Sequence, residues 1–454
     1  MNSIHVCESK KWGLTMRRAS VTRTVAVLSA MTLVGSLSAC GGDDSAGDAS
    51  KPLEFWSRSG PEGATTYKAI LAAFTAKTGI KVDYQGVLEF DTQLQTKASS
   101  KKLPDLWIND ASLLGTYQGQ GYTTPVEQSQ IEGGDSIDTA TWEQNKGLDG
   151  KTYGVPFSRQ AFGTLVRVDW RKKLGLPQPK TWDDLTALAT AFATKDPDGN
   201  GKKDTYGMVV PGSSKNGYIG WWASSYIWQA GGDFIAPAGD GKYKSVVNSP
   251  QTKTALEFIR KQFCTPGNVV PGSLNLTTSE APFFQEGKAG IYLTGPYAMG
   301  GYDKQLGKDK YEVIPMPKGP ASATALGEGE NIYFGAGSKK SDDAKKLAAF
   351  LISPEAQEIG MKATESKYPV VRLPVNTSVK IDKVLNDPRW DAFQQQYRQD
   401  SKTFVWSIKY QAIRQASGEG INAMMSSCTS DLDAGLQKLD QALNDELKAQ
   451  DVLG

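Results

Sequence analysis

The chain has 454 residues and a formal charge of +2, with charged residues making up 22% of it. Lysine and arginine are scattered among aspartate and glutamate without a basic stripe, which leaves nucleic-acid binding with no electrostatic support. The single histidine, His5, lies at the extreme N-terminus; a chain processed beyond it is closed to Ser-His-Asp and Cys-His nucleophile systems, His-ligated zinc and histidine pH switches.

Residues 1–39 read as a signal peptide, and Met16 is a better start for it than Met1. Arg17, Arg18 and Arg23 supply a basic region, and Thr24 to Leu37 form an apolar core too short to span a membrane. Leu37-Ser38-Ala39-Cys40 closes the leader in the pattern of a bacterial lipoprotein signal, which predicts lipidation of Cys40 and cleavage before it. The leader takes Lys10, Lys11, Arg17, Arg18, Arg23 and Glu8 with it, which turns the balance of the remaining chain slightly negative. Residues 40–50 are rich in Gly, Ser, Ala and Asp and predict a flexible tether. Everything from Lys51 onward is expected outside the cytoplasm, lipid-anchored to the cell membrane.

Leu53-Glu54-Phe55-Trp56 alternates as a strand, and Pro61 to Lys77 follows as a helix stopped by Gly79. Ile80 to Tyr84 alternates again, a helix spans about Asp91 to Ser100, and Leu106-Trp107-Ile108 reads as a buried strand. That order argues for a parallel sheet with crossover helices. Thr181 to Asp184 is a capping box opening a helix to about Thr194. Ser249-Pro250 opens another to about Phe263, and Ser353-Pro354-Glu355 repeats the device. Leu432, Leu436, Leu439, Leu443 and Leu447 recur at helical spacing, and the run is short enough to predict a helix packed on its own domain. Beyond the leader the cysteines are Cys40, Cys264 and Cys428. In an exported chain the last two predict a disulfide, with two buried thiols as the alternative.

Several segments, in order, resemble the extracellular solute-binding proteins of ABC importers, the group that includes sugar- and oligosaccharide-binding proteins. They are Leu53 to Ser57; FTAKTGIKV from Phe74; LPDLWIND from Leu103; GKTYGVP from Gly150; FQEGKAGIYLTGPY from Phe284; and LISPEAQ from Leu351. The resemblance implies an α/β, two-lobed periplasmic-binding-protein-like fold of type II, with hinged, parallel-rich sheets and a ligand cleft between the lobes. By that analogy the chain crosses near residues 162–166, 293–296 and 333–337. The N-lobe would hold residues 51–162 and 296–335, and the C-lobe 163–295 and 336–454.

A sugar offers apolar ring faces and a rim of hydroxyls, so its site wants aromatic platforms and planar polar groups. The candidates are Ser57, Arg58 and Glu62 after the first strand, Asn109 and Asp110 after the third, and Ser158, Arg159 and Gln160 before the first crossing. Trp222, Trp228 and Tyr297 are the expected platforms, because the adjacent pair Trp221-Trp222 on the turn-rich stretch 217–225 cannot bury both rings cheaply. Glu328, Glu330, Asn331 and Arg372 complete the set; Trp56, Trp107, Trp170 and Trp182 are assigned to the core. Three arginines facing one cleft would admit an acidic or highly hydroxylated ligand.

Asp196, Asp198, Asn200 and Asp204, with the carbonyl of Lys202, space oxygen ligands as in most of a calcium loop. Gly207 stands at the twelfth position, where a bidentate glutamate completes the full pattern. The resemblance supports structural calcium there; a solvated turn is the alternative. The leading functional expectation is a monomeric carrier, without a catalytic cofactor, that delivers a carbohydrate to the transmembrane subunits of an ABC permease. The rivals are a secreted lipoprotein glycosidase using paired carboxylates among Glu54, Glu62, Asp110 and Glu330, and a solute sensor of the same fold.

Overall fold

A computed structural model describes residues 51–279, 282–362 and 369–454. The signal peptide, Cys40 and the tether lie outside the described residues, as do 363–368 of the loop before Arg372. Among the described residues no helix is long and apolar enough to cross a membrane.

The chain begins with β1 Leu53–Ser57, β2 Val82–Gly86 and β3 Leu106–Asp110, which pair in parallel through β1. The intervening helices Pro61–Thr78 and Phe90–Ser99 make the crossovers that parallel pairing requires. β4 Val155–Ala161 ends this first passage, and the chain leaves at Phe162. It then forms β5 Gly163–Arg167, β6 Tyr206–Val209, the hairpin β7 Ile235–Gly239 with β8 Lys242–Ser245, β9 Ala289–Thr294 and β10 Tyr311–Ile314. The chain returns as β11 Ala325–Phe334 and adds the short strands β12 Leu373–Pro374 and β13 Ser401–Lys402.

Two principal sheets result. The first has the order β12-β4-β11-β3-β1-β2, with β13 on β11, and the second β10-β5-β9-β6. Both are mixed rather than parallel-rich, because β11 re-enters between β3 and β4 antiparallel to each, and β5 is antiparallel to both its neighbours.

The pairing redraws the expected lobe boundaries. β10 bonds to β5 along residues 311–314, so the chain stays in the C-lobe past 296 and returns only between β10 and β11. Helices Ser341–Leu351 and Pro354–Met361 pack against Pro61–Thr78, which places them in the N-lobe. The last crossing therefore lies at 403–409 and not at 333–337. It leads into Tyr410–Met425 and Leu432–Ala449 of the C-lobe. The helix Arg389–Gln399 touches β4, β5, β10 and β11 and lies at the junction.

The five C-terminal leucines are buried against the preceding helix as the spacing predicts, each contributing roughly 1.5–3 kcal/mol of burial. Trp56, Trp107, Trp170 and Trp182 are buried in the core. Cys264, ending the helix Pro250–Cys264, is bonded to Cys428 in the turn between the last two helices, with Cα atoms 5.7 Å apart. The bridge lies wholly within the C-lobe.

Candidate functional site

The carboxyl ends of β1 and β3 deliver Arg58 and Asp110 to one place, as parallel strands ordered by crossover helices must. Residues of β11 alternate across the sheet, so Glu328 and Glu330 project from the same face. β4 brings Gln160, and the segment before β12 brings Arg372. From the C-lobe come Tyr218 and Trp221 on the helix Tyr218–Gln229, Tyr297 after the Gly295-Pro296 turn, and Arg414 on Tyr410–Met425. These groups, with Tyr67, line one cavity of about 300 Å³, at the small end of the range of about 300–1,000 Å³ for small-molecule sites.

The cavity's charges are largely matched. Arg372 pairs with Glu330 at 3.1 Å, and Arg58 lies 4.0 Å from both Glu330 and Asp110. The Ser158 hydroxyl accepts from the Arg372 backbone N–H at 3.0 Å, fixing the origin of that side chain. Glu328 accepts from Trp221 Nε1 at 2.6 Å and from Gln160 Nε2 at 3.1 Å. Burial, then the charge of Asp110, pushes the Glu328 carboxyl above its ordinary range, against the opposing pull of Arg414 and the two donors. Arg414 lies over the faces of Tyr218 and Trp221 at 5.7 and 5.8 Å. Trp221 meets Phe162 edge-on at 4.5 Å, beside the first crossing. The result is an aromatic C-lobe wall facing a polar N-lobe floor, suited to a flat, hydroxylated ligand.

Of the residues expected from sequence, Arg58, Asp110, Gln160, Tyr297, Glu328, Glu330 and Arg372 line this cavity. The others stand elsewhere. Ser57 is buried behind the wall, its hydroxyl 2.8 Å from those of Ser59 and Tyr84. Glu62 stands in the first turn of its helix beside Gly60, at the rim. Asn109 is buried and donates to Tyr117 Oη at 2.7 Å. Asn331 is buried between Arg159 and Asn145, and Arg159, only 2% exposed, lies behind the site.

Tyr297 lines the cavity as expected of a platform, but the two tryptophans expected beside it do not. Residues 218–229 form a helix buried over nearly its whole length, not a turn-rich loop. Trp222 therefore enters the core against Tyr226, and Trp228 packs on Phe404 with its indole N–H on Asp233. Trp221, one position along, is the ring that reaches the cavity. Tyr218 lies three residues before it on the same helical face, so reading the stretch as a helix would have found both. Arg414 carried no sequence signal.

In the loop 196–204, the Asp196 carboxylate accepts from the backbone N–H groups of Gly199, Asn200 and Gly201. Asn200 Nδ2 donates to Asp198 at 2.8 Å and to Asp204 at 3.1 Å, so partial positive charge sits where the two carboxylates converge. Gly207 lies buried in β6 and offers no side chain. Among the described residues no group of three His, Cys, Asp or Glu side chains is gathered to hold a metal. The donor chemistry suits a hard cation in part, through oxygens alone and short of a full cage.

The family model of the bacterial extracellular solute-binding proteins matches residues 57–358. Lipoprotein LipO of Bacillus subtilis (strain 168) is 36% identical over 126 residues, covering 26% of this chain and 24% of LipO. The polygalacturonan/rhamnogalacturonan-binding protein YtcQ of the same organism is 33% identical over 190 residues, covering 39% and 36% respectively. The chain thus matches about a quarter to a third of the length of these curated relatives. Among solved structures, the GacH receptor of Streptomyces glaucescens, determined unliganded and with acarbose and an acarbose homolog, superposes with a TM-score of 0.73 at 18% identity. That match covers 87% of this chain and 98% of the receptor, and it shows a shared two-lobed fold.

Proposed function

The chain belongs to the bacterial extracellular solute-binding proteins, and from that premise we propose that it binds a carbohydrate between its lobes and delivers it to an ABC-type membrane permease. The observation that carries the carbohydrate reading is the composition of the cavity: Tyr67, Tyr218, Trp221 and Tyr297 beside three arginines and three carboxylates. Rings stack on sugar faces, and guanidinium and carboxylate groups take the hydroxyls. Glu330 and Glu328 are each held by fixed donors, an arrangement suited to recognition without turnover. The protein is a solute binder rather than an enzyme. YtcQ, named for binding polygalacturonan and rhamnogalacturonan, and GacH, solved with acarbose, support the same class.

Ligand contacting both walls favours the closed arrangement by its differential affinity for it, and the permease would read that form. The carrier acts as a monomer, held outside the cytoplasm by lipid on Cys40 and the tether that follows. The same proposal extends to the loop 196–204 as a structural calcium site. Asp196, Asp198, Asp204, the Lys202 carbonyl and a turned Asn200 amide would supply oxygens, and the bound ion would fix the turn.

Purified protein is to be screened by calorimetry against neutral and acidic mono- and oligosaccharides, with the sugar recovered afterwards. Stoichiometric retention of an unaltered sugar is the expected result. Cleavage of the sugar, or no heat with any of them, would overturn the proposal.

A further inference from the structure

Arg159 is buried behind the cavity, close in sequence to the first inter-lobe connection and in contact with the third. It stands on β4 three residues before the first crossing, Phe162. Its Nη1 donates to the Glu330 carbonyl at 3.1 Å and to Asn331 Oδ1 at 3.2 Å, both on β11, the strand that returns from the second crossing. Its guanidinium lies 5.3 Å from the ring centre of Trp406, in the third crossing. Trp406 is itself tied to the N-lobe, its carbonyl accepting from Gly115 N–H at 2.8 Å.

Two glycines make this junction possible. A Cβ on Gly329 would lie 2.5 Å from Arg159 Nη1, and one on Gly115 would lie 2.3 Å from the carbonyl oxygen of Ile408. Among the described residues no carboxylate forms an ion pair with Arg159. Its Nε and Nη2 make no hydrogen bond of ordinary geometry; the polar group facing the guanidinium there is Tyr397 Oη on the junction helix, which also faces Gln144. A buried charge with no carboxylate partner is a poor stabiliser, because its desolvation is offset only by neutral acceptors and a ring. Its use lies in what it positions.

We propose that Arg159 is a hinge pin, a positioning residue that ties the strand before the first connection, the strand after the second and the third connection itself together on the N-lobe, aims Glu328 and Glu330 into the cleft, and sets the ease of lobe opening. The contacts to β11 fix the strand at its bulge between Glu330 and Asn331. The stack on Trp406 fixes the segment leading to the helix that carries Arg414. Both halves of the cavity are thereby referred to one side chain.

The test needs no ligand, so it stands whether or not a sugar binds. Hydrogen exchange of Arg159→Met and, separately, Trp406→Leu is compared with wild type by mass spectrometry, together with thermal melting. Exchange in 155–163, 325–334 and 403–409 should quicken at least 10-fold more than in the rest of the chain in both variants, compared at equal distances below each variant's own melting temperature. Uniform quickening, or an unchanged pattern in these segments, overturns the proposal. Should Arg159→Met fail to fold, Trp406→Leu decides alone.

Discussion

Trp221 and Trp222 are adjacent, yet the structure gives them different work, and paired substitutions separate the two. Trp221→Phe keeps a ring against Phe162 but removes the indole N–H that Glu328 accepts at 2.6 Å. A hydrogen bond to a charged group contributes about 1.5–3 kcal/mol, and the smaller platform forfeits part of a stacking interaction of about 0.5–1.5 kcal/mol. Allowing for adjustment by Gln160, which also donates to Glu328, affinity for the retained sugar should fall about 10- to 100-fold, or about 1.4–2.8 kcal/mol. Trp222→Phe removes buried volume from the core beside Tyr226, so it should lower melting temperature and leave affinity within about twofold, since the residue is not among the cavity's lining. Calorimetric titration of both variants, with parallel thermal melts, measures both effects. Weaker binding by Trp222→Phe than by Trp221→Phe would refute the assignment of the rings.

Three further outcomes are expected. Replacing Cys264 and Cys428 by serine frees a loop with a sequence separation of 164, which in the chain-entropy account costs up to about 5 kcal/mol; urea unfolding with and without the bridge measures it, and an unchanged midpoint would contradict the account. Glu328 is held above its ordinary 4.5 by burial, so the folded state binds more protons than the unfolded one between the two values, and wild-type stability falls as pH rises through that window. Glu328→Gln escapes that fall: its melting temperature relative to wild type should climb with pH above 4.5, and a flat difference would show that the carboxyl ionises without penalty. Calcium should raise the melting temperature of the full protein and chelator reverse it, with Asp198→Ala and Asp204→Ala losing the response; equal melts with calcium and chelator would mark the loop as a plain solvated turn.

The fold was legible wherever local signals and the chain's order agreed. The Thr181 capping box, the Ser249-Pro250 start and the C-terminal leucines all mark real helix ends or faces. The return crossing was not legible, because β10 is held in the C-lobe by contacts far away in sequence, its pairing with β5 and the Arg171–Glu312 ion pair among them. The site divided in the same way. Strand-end residues such as Arg58 and Asp110 could be placed because parallel sheets put their carboxyl ends at a cleft. Side-chain direction within β4 and β11 decided the rest: Gln160 turns to the cavity and Arg159 away, a two-residue alternation that needs the register to read. Trp222 and Trp228 were misassigned because glycine and serine in 217–225 resemble a loop in composition, whereas apolar residues on every face of 219–229 mark a buried helix.

The disulfide between Cys264 and Cys428 clasps two elements on one side of the cleft only. It can therefore toughen that half of the molecule against heat and proteases in an oxidising exterior while leaving the mouth of the cleft free to move. Durability and lobe movement are mechanically separate in this architecture, so either can be tuned without sacrificing the other.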